Sequence, residues 1–129
     1  MSITILPIYA ALCGILLFVL SSRVVRLRGK YKVGIGDGGQ AELNRAIRVQ
    51  ANFVEYVPLI LILLLLLELA GAPANILHGL GGALVFCRIA HAYGYSRSNA
   101  TSPGRAIGAV GTFLILLGSS LWLLYLAVS

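Results

Sequence analysis

Residues 48–69 read RVQANFVEYVPLILILLLLLEL, a segment that is polar in its first half and almost wholly aliphatic in its second. Arg48, Asn52 and Glu55 follow one another at intervals of four and three residues, which places them on one face of a helix. Pro58 marks the change to the aliphatic half and removes one helical hydrogen bond, so a kink is predicted there. Because such polar side chains are costly in hydrocarbon, the segment predicts a membrane helix that holds something polar.

Apolar runs recur along the whole chain, at residues 3–21, 54–70, 76–92 and 107–128. In a chain of 129 residues, of which 59% are hydrophobic, this pattern excludes a soluble domain. A span needs roughly 20 residues, so the polar flanks of the two middle runs are expected to continue their helices. We predict an all-α membrane protein: one four-helix bundle domain over residues 1–129, with spans at about 3–22, 45–70, 75–95 and 105–127.

The first apolar run is predicted to be a membrane helix rather than a signal peptide. No basic residue precedes it, and it ends in a basic cluster instead of a small-residue cleavage site. The next segment, residues 23–43, is predicted to be a turn-rich connection. It holds four glycines around one aspartate: Gly34, Gly36, Asp37, Gly38 and Gly39. The glycine spacing does not fit a phosphate-binding loop, and Asn44 is predicted to cap the second helix.

All ten Lys and Arg residues fall on one side of the four-span pattern. They are Arg23, Arg26, Arg28, Lys30, Lys32, Arg45, Arg48, Arg88, Arg97 and Arg105. The positive-inside rule therefore predicts that both termini face outward and that the basic loops are cytoplasmic. The net charge of +6 is explained by this orientation and by anionic headgroups, so no nucleic-acid partner is predicted. Cys13 and Cys87 lie inside spans without metal-ligand spacing, so neither a metal nor a redox site is predicted.

A second polar stripe lies on the third span, where Arg88, His91 and Tyr95 share one helical face near the cytoplasmic end. One interpretation is mutual satisfaction, in which Glu55 pairs with Arg48 or Arg88 and the cluster only fixes helix register. The other is a ligand site. Because the cations outnumber the single carboxylate, the set favours a small anionic ligand with carboxylates or a thiolate. We count Arg88 among the cations that are open to that ligand.

Small residues indicate where the helices pack closely. Gly104, Gly108 and Gly111 share a face of the fourth span, and Gly79, Gly82 and Ala83 can serve the third span in the same way. A protomer of four helices has little interior, so a site between subunits of an oligomer is a reasonable expectation.

The two stripes resemble motifs of one family, the membrane-associated proteins in eicosanoid and glutathione metabolism (MAPEG). Residues 48–58, RVQANFVEYVP, resemble the second helix of its leukotriene C4 synthase branch. Residues 88–95, RIAHAYGY, are similar to the third helix of the microsomal prostaglandin E synthase branch, as are VRLR at 25–28 and PGR at 103–105. The resemblance covers residues 23–105 and agrees with the four-span topology.

Membership in this family would imply a homotrimer that binds glutathione between subunits near the cytoplasmic side. The resemblance assigns Arg105 to activation of the glutathione thiolate. It assigns seven residues to glutathione binding: Arg26 (from a neighbouring subunit), Arg48, Asn52, Glu55, Tyr56, His91 and Tyr95. The implied reaction is attack of the thiolate on a lipophilic electrophile or hydroperoxide in the bilayer, which makes glutathione a co-substrate.

Two positions depart from the family's eicosanoid enzymes. Ala106 replaces the serine of the prostaglandin synthase branch, and His91 replaces the tyrosine of the leukotriene synthase branch. The mixture favours a broad-specificity relative in a bacterial inner membrane. The alternative is a non-catalytic membrane protein that binds lipids or other ligands, like the lipoxygenase-activating member of the family. A transporter is less favoured, since the polar stripes stop halfway across the membrane.

Overall fold

The computed structural model describes residues 3–97 and 102–129, which form four helices. These are α1 (Leu6–Tyr31), α2 (Ala41–Leu69), α3 (Ala74–Arg97) and α4 (Pro103–Val128). Each has between 24 and 29 residues and is therefore about 36–44 Å long at the α-helical rise. Each is also long and apolar enough to cross a membrane, so the predicted all-helical, four-span fold is confirmed for the described residues.

The helix α2 packs against the other three helices, as α3 also does. Its buried side chains recur every three or four residues and form a ridge: Val49, Phe53, Val57, Ile60, Leu64 and Leu67. Leu77 and Leu84 of α3 and Ile115 of α4 pack into the same core. This ridge fixes the rotation of α2 about its axis. The stripe of Arg48, Asn52 and Glu55 therefore lies beside the core rather than inside it.

The first connection is shorter than the sequence predicted. The helix α1 continues to Tyr31 instead of ending near residue 22, and α2 begins at Ala41. The drop in hydropathy at Arg23 marks the end of the apolar run and not the end of the helix, because helical hydrogen bonds form equally well outside hydrocarbon. At the end of α1, the Arg28 guanidinium donates to the carbonyls of Val33 and Gly36, at 3.2 and 2.8 Å.

The expected role of Asn44 as a helix cap was wrong, since Gln40 occupies that position. Asn44 instead donates through Nδ2 to Asp37 Oδ2, at 2.8 Å, and the Gly39 N–H donates to Asp37 Oδ1, at 2.9 Å. These two donors, the backbone one foremost, hold the pKa of the Asp37 carboxyl below its ordinary value. The predicted turn-rich character is confirmed only for residues 32–40, where Gly36, Gly38 and Gly39 all have positive φ angles.

Glu68 ties the opposite ends of α1 and α2 together. Its carboxylate accepts hydrogen bonds from the backbone N–H groups of Thr4, Ile5 and Leu6, at 2.8–3.1 Å. No side chain of its own caps the start of α1, so Glu68 caps that helix from more than sixty residues away.

Close approach of α3 and α4 depends on the glycines predicted on α4. A Cβ atom at Gly108 would overlap His91 Cβ and lie 2.5 Å from the Cys87 carbonyl oxygen. One at Gly111 would collide with Cys87 Sγ. The predicted partners Gly79 and Gly82 were wrong, because nothing lies within 4 Å of a Cβ at either position. Those two glycines are exposed on the other side of α3.

Candidate functional site

An ion pair lies on the exposed face of α2. Arg48 Nη2 is 3.7 Å from Glu55 Oε1, and the two side chains are 47% and 54% exposed. The pairing of Glu55 with Arg48 rather than Arg88 resolves one alternative that the sequence left open. Charges on the outer face of a membrane helix face a ligand, water or another subunit, because lipid tails cannot solvate them. The outer face of α2 is therefore the open side of the candidate site.

Arg88 lies in the protein interior, contrary to the expectation that it is open to a ligand. It is only 1% exposed. Its Nη2 donates to Asn52 Oδ1 at 2.7 Å, and its Nη1 donates to Thr112 Oγ1 at 3.3 Å. No carboxylate of the described residues lies within ion-pair distance. Its guanidinium also lies over the Phe53 ring, 5.8 Å from the centroid. Arg88 is thus a buried cation that links α2, α3 and α4.

The groups around Arg88 turn their acceptor atoms toward it, because a guanidinium can only donate. Asn52 must present Oδ1 to Arg88, which leaves its amide NH₂ to point elsewhere. His91 Nδ1 lies 3.5 Å from Arg88 Nη2, an arrangement that favours the tautomer with its proton on Nε2. Both residues thereby carry hydrogen-bond donors on the side away from Arg88, although His91 is only 3% exposed in the protomer whereas Asn52 is half-buried. Such donors suit an anionic or carbonyl-rich ligand.

Arg105 lies at the start of α4, against α3. Its backbone N–H donates to the N-cap side chain of Ser102, at 3.2 Å. Its guanidinium carbon lies 4.0 Å from the centroid of the Tyr95 ring, a close cation–π contact. The rings of Tyr95 and His91 lie 5.5 Å apart. The structure therefore brings together three of the predicted site residues at the α3–α4 boundary.

Two predicted site residues lie elsewhere in the protomer. Tyr56 packs edge-on against Phe113 of α4, with ring centroids 5.3 Å apart. Arg26 is exposed on α1. Among the hydrogen bonds and ion pairs of the described residues, none joins Arg26 or Arg105 to the pair of Arg48 and Glu55. Within a single protomer, the predicted site residues are therefore not all joined to one another by hydrogen bonds or ion pairs.

Several polar contacts around this region were missed by the sequence interpretation. For Thr112, one feature of the sequence could have indicated burial, since Thr112 follows Gly108 by one turn on the packing face of α4. Ser96 had no such feature. The Arg23 guanidinium donates to its hydroxyl, and Arg45 Nε donates to its carbonyl oxygen at 3.2 Å. These two arginines hold the end of α3 next to Tyr95.

Comparison with known proteins identifies the family. The sequence model of the MAPEG family matches residues 6–125. The chain belongs to the MAPEG family. It is 44% identical over 88 residues to the inner membrane protein YecN of Escherichia coli K12, which covers 68% of this chain and 67% of that protein. The YecN of Escherichia coli O6:H1 strain CFT073 matches to the same extent. Together with the four apolar helices, these matches identify an integral inner-membrane protein.

Membership in the MAPEG family confirms the resemblance drawn from the two polar stripes. The described residues contain no group of three His, Cys, Asp or Glu side chains placed to hold a metal ion. The side chains that the structure places at the site offer cations and hydrogen-bond donors. Several such groups at a membrane boundary can bind a small acid and stabilise a thiolate.

Proposed function

We propose that this MAPEG protein is a membrane-embedded glutathione transferase, with peroxide reduction as a second reaction of the same thiolate. The observation that carries the proposal is the donor arrangement at the candidate site. Asn52 and His91 have their acceptor atoms turned inward to Arg88, and Arg105 is held over Tyr95. Cations and donors then face a ligand that brings its own carboxylates and sulfur.

Binding would use charge complementarity at both ends of the tripeptide. Glu55 receives the ammonium group of glutathione, while Arg48 and the neighbouring subunit's Arg26 hold carboxylates. Tyr56 and Tyr95 line the ligand, with His91 and Asn52 donating to it. These assignments follow the family resemblance. They are supported by the exposure of Arg48 and Glu55 on one face of α2.

The protein would activate the sulfur by electrostatics. A free thiol has a pKa of about 8.5, and a nearby cation lowers it by one or more units. The thiol proton leaves to water, and the thiolate forms a carbon–sulfur bond with an electrophile dissolved in the bilayer. In a substitution the leaving group departs with the electron pair of its bond to carbon, and in an addition the π bond breaks and the neighbouring carbon takes a proton from water. With a hydroperoxide, the thiolate instead attacks the terminal oxygen, the O–O bond breaks, and the alcohol leaves. A second glutathione then converts the resulting sulfenic acid to glutathione disulfide and water. Arg105 is the proposed catalytic cation.

The proposed assembly is a homotrimer with its glutathione sites between subunits. Two features of the protomer support it: the exposed ion pair on α2, and the separation of Arg26 from the other site residues. We also propose that both termini face outward and the basic loops face the cytoplasm, where glutathione is abundant. All described Lys and Arg residues lie toward that end of the bundle or within its half of a helix.

The test is ultraviolet difference absorbance of the glutathione thiolate in the detergent-solubilised protein. The wild type is expected to give a saturable thiolate signal at neutral pH. Arg105→Ala should raise the pKa of bound glutathione by about one unit or more, and so remove most of that signal while binding persists. The matched control is Arg97→Ala, since Arg97 makes a similar contact with Tyr93, at 5.2 Å, outside the proposed site.

The outcomes separate the candidate functions. Binding by the wild type without a thiolate signal would favour the non-catalytic ligand-binding alternative. Failure of the folded wild type to bind glutathione at all would contradict the proposal. Equal loss of signal in Arg105→Ala and Arg97→Ala would show that Arg105 has no special role in activation.

A further inference from the structure

Thr112 is a buried hydroxyl for which the proposed chemistry has no direct use. It is 1% exposed on α4 and accepts a hydrogen bond from Arg88 Nη1. Its own proton is already committed, because Thr112 Oγ1 donates to the Gly108 carbonyl oxygen at 2.6 Å. A hydroxyl has one proton, so the side facing Arg88 can only be an acceptor. The hydrogen bond from Thr112 to the Gly108 carbonyl therefore fixes which side of the hydroxyl oxygen accepts from the Arg88 guanidinium.

The location of Thr112 is set by backbone packing. Gly108 lets α4 approach α3 next to His91 and Cys87, and Thr112 lies one turn further along α4. The guanidinium of Arg88 is thus held at two points, by Thr112 from α4 and by Asn52 from α2. A buried charge without a carboxylate partner depends on each neutral acceptor around it.

We infer that Thr112 is a positioning residue for the ligand site. It accepts a hydrogen bond from Arg88 and so keeps the guanidinium against Asn52, whose amide NH₂ is thereby left for the ligand. This inference rests on the proposed function, since the ligand is glutathione. Thr112 itself does not touch the ligand and acts through Arg88.

The test compares glutathione affinity and steady-state kinetics among three single variants. Thr112→Val keeps the shape of the side chain but removes the acceptor, so the dissociation constant of glutathione should rise roughly tenfold. The rate at saturating glutathione should change little, which places the loss in KM rather than kcat. Thr112→Ser restores the hydroxyl and should bind within about twofold of the wild type.

Ser119 provides the matched control. It is a second buried hydroxyl, two turns along the same face of α4, and its Oγ has no hydrogen-bond partner in the described part of the chain. Ser119→Ala should therefore leave glutathione binding unchanged. If Thr112→Val does not fold, as judged by circular dichroism and size-exclusion chromatography, Thr112→Ala replaces it in the same comparison.

A double-mutant cycle with Asn52→Ala tests the route of the effect. If Thr112 acts through Asn52, the double variant should bind glutathione no more weakly than Asn52→Ala alone. Independent, additive losses would overturn the inference. So would unchanged affinity in a folded Thr112→Val or Thr112→Ala protein, or failure of Thr112→Ser to restore binding. If the wild type binds no glutathione, the proposed function fails, whereas each of the other outcomes concerns Thr112 alone.

Discussion

At the scale of single residues, the arginines of this protein differ in what surrounds them. Arg88 is enclosed by neutral hydrogen-bond acceptors and links helices in the protein interior. Arg48 is half exposed and pairs with Glu55, and Arg105 is stacked on Tyr95. A buried cation mainly orients its neighbours, whereas the exposed ones retain donors for a ligand. The same residue type therefore has a structural role in one helix and a proposed binding or catalytic role in another.

Removal of the charge on Glu55 distinguishes a structural role of its ion pair with Arg48 from a role in ligand binding. Glu55→Gln should change stability by no more than about 0.5 kcal/mol, because exposed ion pairs contribute little. It should weaken glutathione binding roughly tenfold, since the carboxylate is the proposed partner of the ligand's ammonium group. Isothermal titration calorimetry and thermal denaturation of the same samples measure both quantities.

The control for this change is Glu42→Gln, which breaks the other exposed ion pair of the described residues, with Lys30 at 3.4 Å. It should leave glutathione affinity unaltered. If Glu55→Gln lowered stability without altering affinity, the pair with Arg48 would be a structural contact only.

At the scale of elements, each helix packs against its neighbours through a different kind of contact. The helix α2 uses an aliphatic ridge, α1 is tied by the carboxylate of Glu68, and α4 approaches α3 through glycines. Glycine contacts suit a membrane interior, where close van der Waals packing replaces the hydrophobic effect as the driving force between helices. They also bring Thr112 and Arg105 of α4 up to the polar face of α3.

Gly108→Ala tests the packing of α3 on α4. The added methyl group would overlap His91 and Cys87, so the variant should lose about 1–3 kcal/mol of stability as an overpacked core does. Because His91 would move, glutathione affinity should fall as well. The thermal midpoint in detergent, followed by circular dichroism, reports the first effect.

Gly118→Ala is the matched control on the same helix, since nothing lies within 4 Å of a Cβ atom there. Its stability should be equal to or slightly above that of the wild type, because alanine favours a helix. Equal destabilisation by the two substitutions would mean that close approach at Gly108 is unimportant.

At the scale of the whole molecule, the protomer is a four-span inner-membrane bundle that leaves polar groups on an outer surface. In the proposed homotrimer, neighbouring copies of the chain would face the exposed charges of α2 and contribute Arg26. A ring of three subunits related by rotation gives each copy the same heterologous interface. The proposed sites would then each combine Arg48 of one subunit with Arg26 of the next.

Mixed oligomers test this arrangement. Arg26→Ala and Arg48→Ala subunits should each bind glutathione weakly when they form an assembly alone. Co-expressed in equal amounts, they should recover about a quarter of the sites, because an interface is intact when each partner contributes its wild-type arginine. Native mass spectrometry checks for the trimer, and titration counts the sites. No recovery in a mixed trimer would place both arginines in the same subunit's site.

The sequence alone determined the four spans and the family, because hydrocarbon sets the length of an apolar helix and helical periodicity sets which residues share a face. It also predicted that Gly108 and Gly111 lie on a close-packing face of α4, although the structure alone identified α3 as the partner. Only the tertiary structure decided the partners of each polar group. Arg88 and Arg48 have the same chemistry, yet one faces the core and the other faces outward, which depends on how α2 and α3 rotate to bury their ridges. The capping of α1 by Glu68 and the contact of the Thr112 hydroxyl with Arg88 likewise depend on contacts between distant segments, which no local pattern encodes.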